Sequence, residues 1–428
     1  MERNYSVRIL ILLTLFSSTL FSIITPMAEE LTLALNLTNQ DQVAFINSMF
    51  LMVGASFSLL WAFLGDKFAR KILLIIATFE WSILTLLTIF STNFQSLLIF
   101  QLITAIGFGA SLPLIFSLII DFVEPENRGR IFGVLSAQYV LGNGLGQILS
   151  GFLIEIYTWQ IPLIIVSVSG FICTVLLFLI QEPTRGAKDT LYSTPEENNI
   201  KLDYKIKKKD LKQIWKIKST LLILILNFIM FISIGAISSF YITMLKNDFG
   251  LSSILATIFL IIVFGSQVPS GPIFGKLGDK KRKSDVNGRI KVAMICLILG
   301  STLYIIAYLI ALMSKDIIIA FIFLGITFCG AFLFGGIDPL TQATLGEINP
   351  PQIRSTIYSI NYLAYSFGRS ISLLILAQLF LAFNTQYTPG YLILSIMALG
   401  CTTILIPILK FIPRDIEKIK KKINSLKD

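Results

Sequence analysis

Residues 108–114 read FGASLPL, and 226 positions further along the chain residues 334–340 read FGGIDPL. The match continues downstream at the same offset, where three residues recur: Pro125 as Pro351, Arg128 as Arg354 and Gly142 as Gly368. Repetition at so long an offset indicates a chain built from two related halves.

A second match, at an offset of 213, pairs residues 65–67 with residues 278–280, and both read Gly-Asp-Lys. The shorter offset is explained by a longer basic loop in the second half, KRKSDVNGRIK, directly after residue 280. The duplication therefore extends over most of the chain.

The composition is that of a membrane protein. Hydrophobic residues make up 55% of the chain and charged residues 14%, whereas soluble domains carry about 25% charged residues. Twelve apolar stretches can be marked, most of them near or above the roughly 20 residues that span hydrocarbon: 8–31, 42–64, 71–92, 95–122, 128–156, 159–181, 217–244, 252–275, 289–312, 316–346, 352–382 and 389–412. We therefore predict an all-α integral membrane protein of twelve transmembrane helices in two pseudo-symmetric six-helix halves.

The predicted organisation follows from these stretches. Residues 1–182 form the first half, 183–213 a polar linker, 214–412 the second half and 413–428 a basic, solvated cytoplasmic tail. Within the linker, residues 208–215 can form a short surface helix.

The net charge of +10 sets the orientation. With the N-terminus in the cytoplasm, 32 of the 35 Lys and Arg residues fall on that side, which is the positive-inside asymmetry. We therefore expect a multi-pass protein of the cell membrane with both termini cytoplasmic. Basic loops beside anionic lipid account for the charge, so no nucleic-acid partner is expected.

Catalytic and metal-binding chemistry is disfavoured. The chain has no histidine, and its four cysteines all fall inside predicted spans without a partner at metal-ligand spacing: Cys173, Cys296, Cys329 and Cys401. No nucleotide-binding loop is present either. We expect no cofactor, no metal site and no enzyme activity.

The loop between spans two and three carries a recognisable motif. Residues 62–71, AFLGDKFARK, resemble the loop motif of the major facilitator superfamily, in which Gly, three residues and Asp precede a basic cluster. Asp66, Lys67, Arg70 and Lys71 match, whereas alanine replaces both glycines of the motif. Residues 275–280, GKLGDK, repeat it in the second half. The resemblance implies the major facilitator fold and a monomeric transporter of a small-molecule substrate, embedded in a lipid bilayer and able to couple to protons.

Elementary electrostatics predicts what the motif does. A carboxylate at the end of one span is attracted to the positive N-terminus of a neighbouring helix, so Asp66 can dock near residues 352–354 and Asp279 near residues 127–128. Asp121 and Glu347 can then hold Arg70 and a basic residue after position 279. The predicted cytoplasmic gate comprises Asp66, Lys67, Arg70, Lys71, Asp121, Arg128, Asp279, Lys280, Glu347 and Arg354. The alternative is that these charges only set topology and cap loops.

Two narrower resemblances concern the subfamily. Four glycines of span five, Gly133, Gly142, Gly146 and Gly151, stand at the spacing of a glycine motif of proton-coupled drug antiporters, which the sequence matches in part; the alternative is helix packing against residues 265–271 of span eight. Residues 65–71, 80–86 and 182–186 resemble the spinster-like branch, whose members include lysolipid and sphingolipid exporters.

Ionisable residues inside spans are the candidates for function, because such groups are costly in hydrocarbon. Arg369 and Asp338 either pair with each other or serve the substrate and protons, and Glu80 lies in a span that is peripheral in the family. Further hydrogen-bonding candidates along the path are Gln101, Gln138, Asn143, Asn227, Gln267, Gln342, Asn361, Tyr362 and Tyr365. The alternative for many of them is a hydrogen bond that holds neighbouring helices together.

Three functions fit the sequence to different degrees. A secondary transporter, in which two halves rock around a central site, accounts for both the duplication and the loop motifs. A non-transporting receptor or scaffold with the same fold is the alternative, and intact motifs in both halves argue against it. An intramembrane enzyme is disfavoured, because the sequence shows no set of residues that could act together in catalysis.

Overall fold

The structure is a computed structural model that describes residues 2–38, 41–188, 216–235, 237–383 and 386–424. Within those ranges the regular structure is helical, and the first half contains spans one to six. Its helices are α1 (Glu2–Ser22), α2 (Ala28–Ala34), α3 (Asp41–Lys67), α4 (Arg70–Leu87), α5 (Phe94–Phe108), α6 (Ser111–Phe122), α7 (Arg128–Ile156) and α8 (Gln160–Leu177). Span one combines α1 with α2, and span four combines α5 with α6.

The second half repeats this arrangement in spans seven to twelve. Its helices are α9 (Lys218–Ile234), α10 (Ile237–Phe249), α11 (Ser253–Gly265), α12 (Gln267–Ser284), α13 (Gly288–Met313), α14 (Ile317–Phe334), α15 (Ile337–Ile348), α16 (Arg354–Ala382), α17 (Thr388–Gly400) and α18 (Thr402–Asn424). Ten spans are long and apolar enough to cross a membrane by length and composition alone. With α7 and the α9–α10 pair, the prediction of twelve membrane-spanning segments is confirmed.

Spans four and ten are broken at equivalent points. The break between α5 and α6 precedes Pro113, and the break between α14 and α15 precedes Pro339; proline has no N–H to continue the helical hydrogen bonds. A Cβ on Gly109 would lie 2.2 Å from the carbonyl oxygen of Gly54. The glycine at the break therefore lets span four lie directly against span two.

The two halves meet where span five crosses span eight and where span two crosses span eleven. At the first crossing the backbones touch, because a Cβ on Gly133 would lie 2.1 Å from the carbonyl oxygen of Gly271. At the second crossing the hydroxyls of Ser58 and Ser359 are 2.7 Å apart. The offsets of 226 and 213 relate these two pairs to each other. The same crossing is thus made once with glycines and once with serines.

Gly142 and Gly146 do not pack against span eight, so that prediction is wrong. A Cβ on Gly142 would lie 2.2 Å from the carbonyl oxygen of Leu15, and one on Gly146 would lie 2.5 Å from that of Thr19. Both glycines therefore hold span five against span one, within the first half. The span-eight contact predicted for this helix is made nearer its start, by Gly133 and Gly129, which lie nine and thirteen residues before Gly142.

The end of the chain also departs from prediction. Helix α18 continues through Pro413 to Asn424 instead of giving way to a solvated tail after residue 412. Asp415 is buried and accepts hydrogen bonds from the backbone N–H and the hydroxyl of Ser219, at 2.9 and 2.8 Å. The carboxylate caps the start of α9, which orders this segment. The surface helix predicted for residues 208–215, and most of the linker, lie outside the described residues.

Candidate functional site

One end of the bundle, called the basic end below, carries the connections 68–69, 123–127, 178–188, 285–287 and 349–353. Here Asp66, in the last turn of α3, meets the first turn of α16. Its carboxylate accepts hydrogen bonds from the backbone N–H groups of Ser355 and Thr356, at 3.1 and 2.9 Å, and from the Thr356 hydroxyl at 2.6 Å. First-turn N–H groups lack an intrahelical partner and lie at the positive end of the helix, so a carboxylate satisfies both needs.

Asp279 makes the equivalent contact between α12 and α7. Its carboxylate accepts from the backbone N–H groups of Gly129 and Arg130, at 2.9 and 2.8 Å. It also accepts from the Arg289 guanidinium, at 2.7 and 2.9 Å. Both latches form one or two residues beyond the predicted positions, because the free N–H groups belong to the first helical turn and not to the residues before it.

Two charge clusters surround the latches. Asp121 lies between arginines of opposite halves, 2.7 Å from Nη1 of Arg70 and 3.1 Å from Nη1 of Arg354. Glu347, in the other cluster, pairs with Arg282 and, at 2.7 Å, with Arg289. The basic partner expected after position 279 is thus supplied by two arginines.

Residues 182–188, which directly follow span six, cross the first cluster; we call them the strap. Arg185 donates to the carbonyl oxygens of Gly65 and Phe68, at 2.6 and 2.9 Å, and lies 3.9 Å from Asp66. The backbone N–H of Gly186 donates to Asp121 at 3.0 Å. Burial, and then the nearby charge of Arg70, lower the pKa of Arg185, whereas the surrounding carboxylates raise it.

The strap completes the charge balance of this cluster. Glu182 accepts from Nε of Arg70 at 3.0 Å, so three arginines face three carboxylates: Arg70, Arg185 and Arg354 face Asp66, Asp121 and Glu182. The sequence analysis placed residues 183–188 in the polar linker and Glu182 at the end of the first half. The sequence signal for an ordered turn here is the glycine at position 186, because its φ of 72° is a conformation that favours glycine.

Three other predicted gate residues, the lysines at positions 67, 71 and 280, lie apart from the inter-half ion pairs described above, whereas the charge of Arg128 acts on Glu347 of the other half. Lys67 lies over the Phe63 ring at 4.2 Å, and the Lys71 ammonium donates to the carbonyl oxygen of Phe178. Lys280 is exposed. Arg128 donates to two carbonyl oxygens of its own half, those of residues 120 and 123.

A cavity of about 210 Å³ lies between the halves, near the middle of α7 and α16. Asp338 lies in its wall and accepts hydrogen bonds from the Ser136 hydroxyl and from Nε2 of Gln342, both at 3.0 Å. Arg369 also lines it, and its guanidinium lies 5.9 Å from the Phe21 ring centroid. Within the described part of the chain, Arg369 has no ion pair and no hydrogen-bond partner. The two charged residues therefore share the cavity without pairing with each other.

Seven of the predicted path residues line this cavity: Arg369, Asp338, Gln267, Gln342, Asn361, Tyr362 and Tyr365. Five do not line it: Glu80, Gln101, Gln138, Asn143 and Asn227. Gln101 donates to the Thr88 hydroxyl inside the first half. Nδ2 of Asn227 donates to Oδ1 of Asn361, at 2.7 Å. These amides hold helices or lining residues together.

Glu80 lies outside the cavity, against span four. Both of its carboxylate oxygens are buried, and among the described residues the backbone N–H of Gly107 approaches them without reaching normal hydrogen-bond geometry. A Cβ on Gly107 would lie 1.6 Å from Oε2 of Glu80, so the carboxylate occupies a notch that glycine leaves.

Sequence reasoning missed Ser136, Tyr139 and Tyr358, which line the cavity. The internal repeat contained a signal for one of them, since Tyr139 corresponds to Tyr365 at the offset of 226. Only the helix crossing shows that both face the cavity.

The family model described as Major Facilitator Superfamily matches residues 10–322 and, in a second match, residues 223–427. The chain is 30% identical over 153 residues to the uncharacterized MFS-type transporter YhcA of Bacillus subtilis (strain 168), and 24% identical over 186 residues to the hexuronate transporter of the same organism. These matches cover 35% and 42% of this chain, but only 29% and 43% of the two relatives.

The fold is similar to that of a solved structure, the human organic anion transporter MFSD10 (TETRAN). The TM-score is 0.71 at 13% identity, over 94% of this chain and 99% of the other.

Proposed function

This chain belongs to the major facilitator superfamily, and we propose that it is a secondary active transporter that moves a small organic solute across the membrane by alternating access. The observation that carries this proposal is the pair of equivalent latches at one end of the bundle, next to a cavity between the halves. Contacts made by helix termini and side chains can break without disturbing the interior of either half.

In this mechanism residues 1–182 and 214–412 rock as two units around the cavity. The basic end faces the cytoplasm of the cell, in agreement with the positive-inside distribution of charge, and both termini lie there. The latches then form the cytoplasmic gate, which is closed in this conformation. The transporter works as a monomer in the cell membrane.

Protons are the proposed coupling ion, and Asp338 is the proposed carrier. It is the acidic residue of the cavity wall, and its hydrogen bonds come from the neutral donors Ser136 and Gln342. The other charged or titratable groups of the wall are Arg369 and the tyrosines 139, 358, 362 and 365. Ionisation of a carboxyl group inside a membrane span is costly, so proton binding and release at Asp338 can follow the opening of each side.

The test is transport by purified protein in liposomes with an imposed pH gradient. Asp338→Asn is expected to keep solute exchange but lose acceleration by the gradient, whereas Asp316→Asn, in an exposed connection, should behave like the unchanged protein. Transport that is indifferent to the gradient in the unchanged protein removes the proton role. The absence of any transport, over a panel of anions, sugars and cations, removes the proposed function.

A further inference from the structure

The two walls of the cavity differ in polarity at positions that the internal repeat makes equivalent. The second half contributes Asp338, Gln342 and Asn361. The residues 226 positions earlier, in the first half, are Leu112, Phe116 and Leu135, in the same order, and they also line the cavity. The rest of the lining is mixed, since the first half adds Ser136 and Tyr139 and the second half adds phenylalanines. A substrate that satisfies the three equivalent pairs of positions has a polar side and an apolar side.

Two groups of the polar wall lack a hydrogen-bond partner in the described residues, Oε1 of Gln342 and the guanidinium of Arg369, and only the guanidinium carries a charge. The oxygens of Asp338 already accept two hydrogen bonds, whereas the guanidinium of Arg369 has no ion pair or hydrogen-bond partner in the described residues. A guanidinium presents five donors in a planar fork that matches a carboxylate. In a cavity of low dielectric its attraction for an anion is far stronger than in water. The complementary group on the ligand is therefore an anion, and a single arginine suits a single negative charge.

The size and lining of the cavity limit the rest of the molecule. Its volume of about 210 Å³ is below the roughly 300 Å³ at which sites for drug-sized ligands begin. Phe116, Phe231, Phe264 and Phe334 add aromatic surface that favours a flat ring.

We propose that the substrate is a small organic monoanion: a carboxylate on a single apolar ring, with the carboxylate on Arg369 and the ring against Leu112, Phe116 and Leu135. This inference rests on the proposed transport function, since it names the substrate. Binding of the substrate can nevertheless be measured without measuring transport. Arg369 of the second half thus binds the carboxylate, and the three apolar residues of the first half contact the ring.

The experiment is calorimetric titration of the purified full-length protein with benzoate, benzamide, benzylamine and acetate. Benzoate is expected to bind at least tenfold more tightly than benzamide, which lacks the charge, and than acetate, which lacks the ring. Benzylamine should bind most weakly, because Arg369 repels it. Arg369→Gln should reduce the affinity for benzoate to that for benzamide, and retained benzamide binding shows that the variant is folded. Lys246→Gln, which removes an exposed cation outside the cavity, is the matched control.

A second variant tests the apolar wall. Phe116→Ala enlarges the first-half side of the cavity and should shift the preference from benzoate towards 2-naphthoate by tenfold or more. No benzoate binding, equal affinities for benzoate and benzamide, or unchanged benzoate affinity in Arg369→Gln overturns the proposal. Benzoate binding through Arg369 without uptake into liposomes leaves this inference standing and removes the transport function. Uptake of neutral or cationic solutes that is unaffected in Arg369→Gln leaves the transport function standing and overturns this inference.

Discussion

Asp66 accepts a hydrogen bond at 2.9 Å from the backbone N–H of Thr356, a residue 290 positions later and in the other half. Asp279, in the second half, accepts the equivalent bond from the backbone N–H of Arg130, in the first half. A side chain that holds a helix N-terminus of the other half can be released without unfolding either helix. This is the property that a reversible gate requires.

Asp66→Asn should weaken the closed basic end. The amide carries no charge to complement the N-terminus of α16, and hydrogen bonds to charged groups contribute about 1.5–3 kcal/mol. The closed conformation should therefore lose about tenfold in population. The measurement is the alkylation rate of a single cysteine at Ser359→Cys, a buried site beside the latch, in a cysteine-free background. Asp285→Asn, in a connection of the basic end, is the control; equal labelling of both variants reduces Asp66 to a loop-capping residue.

Gly133→Ala should open the basic end by a different route. Its Cβ would lie 2.1 Å from the carbonyl oxygen of Gly271, so spans five and eight must separate, at a cost of about 1–3 kcal/mol. Faster labelling of the same cysteine is expected. Gly144→Ala lies in the same helix and meets nothing within 4 Å, so it should leave labelling unchanged. A similar effect from both substitutions contradicts the proposed crossing.

Arg185→Gln tests the strap. The variant loses the bonds to Gly65 and Phe68 and leaves one uncompensated negative charge in a buried cluster, which is strongly destabilising. Labelling at the basic end should rise, and the rate of solute exchange should change. Lys188→Gln removes a neighbouring but exposed ion pair with Glu124, a type that contributes about 0–1 kcal/mol. If the two variants behave alike, the strap is only a connection.

Glu80→Gln should stabilise the protein and leave transport intact. The carboxylate oxygens are buried without a hydrogen bond of normal geometry, which is costly whether the group is ionised or kept neutral. A higher melting temperature in detergent is expected, with unchanged uptake in liposomes. Glu29→Gln, at an exposed carboxylate, should change neither. Loss of uptake in Glu80→Gln alone shows that Glu80 takes part in coupling, contrary to our placement of it outside the path.

Much of the architecture can be predicted from the sequence, because the signals are local or repeated. A run of about 20 apolar residues forms a helix in lipid wherever it stands, and the repeated Gly-Asp-Lys loops mark the same turn in both halves. The contact of Asp66 with the start of span eleven was also predictable, since a helix N-terminus attracts a carboxylate. Only its register, at Ser355 and Thr356, needed the structure.

The cavity could be predicted only in part. Span number says which helices line a path, but not which face of each helix turns inward. Gln101 and Asn227 are as polar as Gln267, yet they bond inside their own halves, whereas Tyr139 faces the cavity. The direction in which Gly142 faces was likewise undetermined, because a glycine permits close approach to any neighbour.

The sequence by itself determined the twelve spans, the duplication, the orienting charges and the two acidic latches, since each depends on composition or on a short repeated pattern. The tertiary structure decided that residues 182–188 cross the charge cluster around Asp121, that Arg369 and Asp338 share a cavity without pairing, and that three equivalent positions of its lining are polar in one half and apolar in the other. The physical reason is that these features depend on helix rotation and on contacts between different helices. No local pattern encodes such relationships.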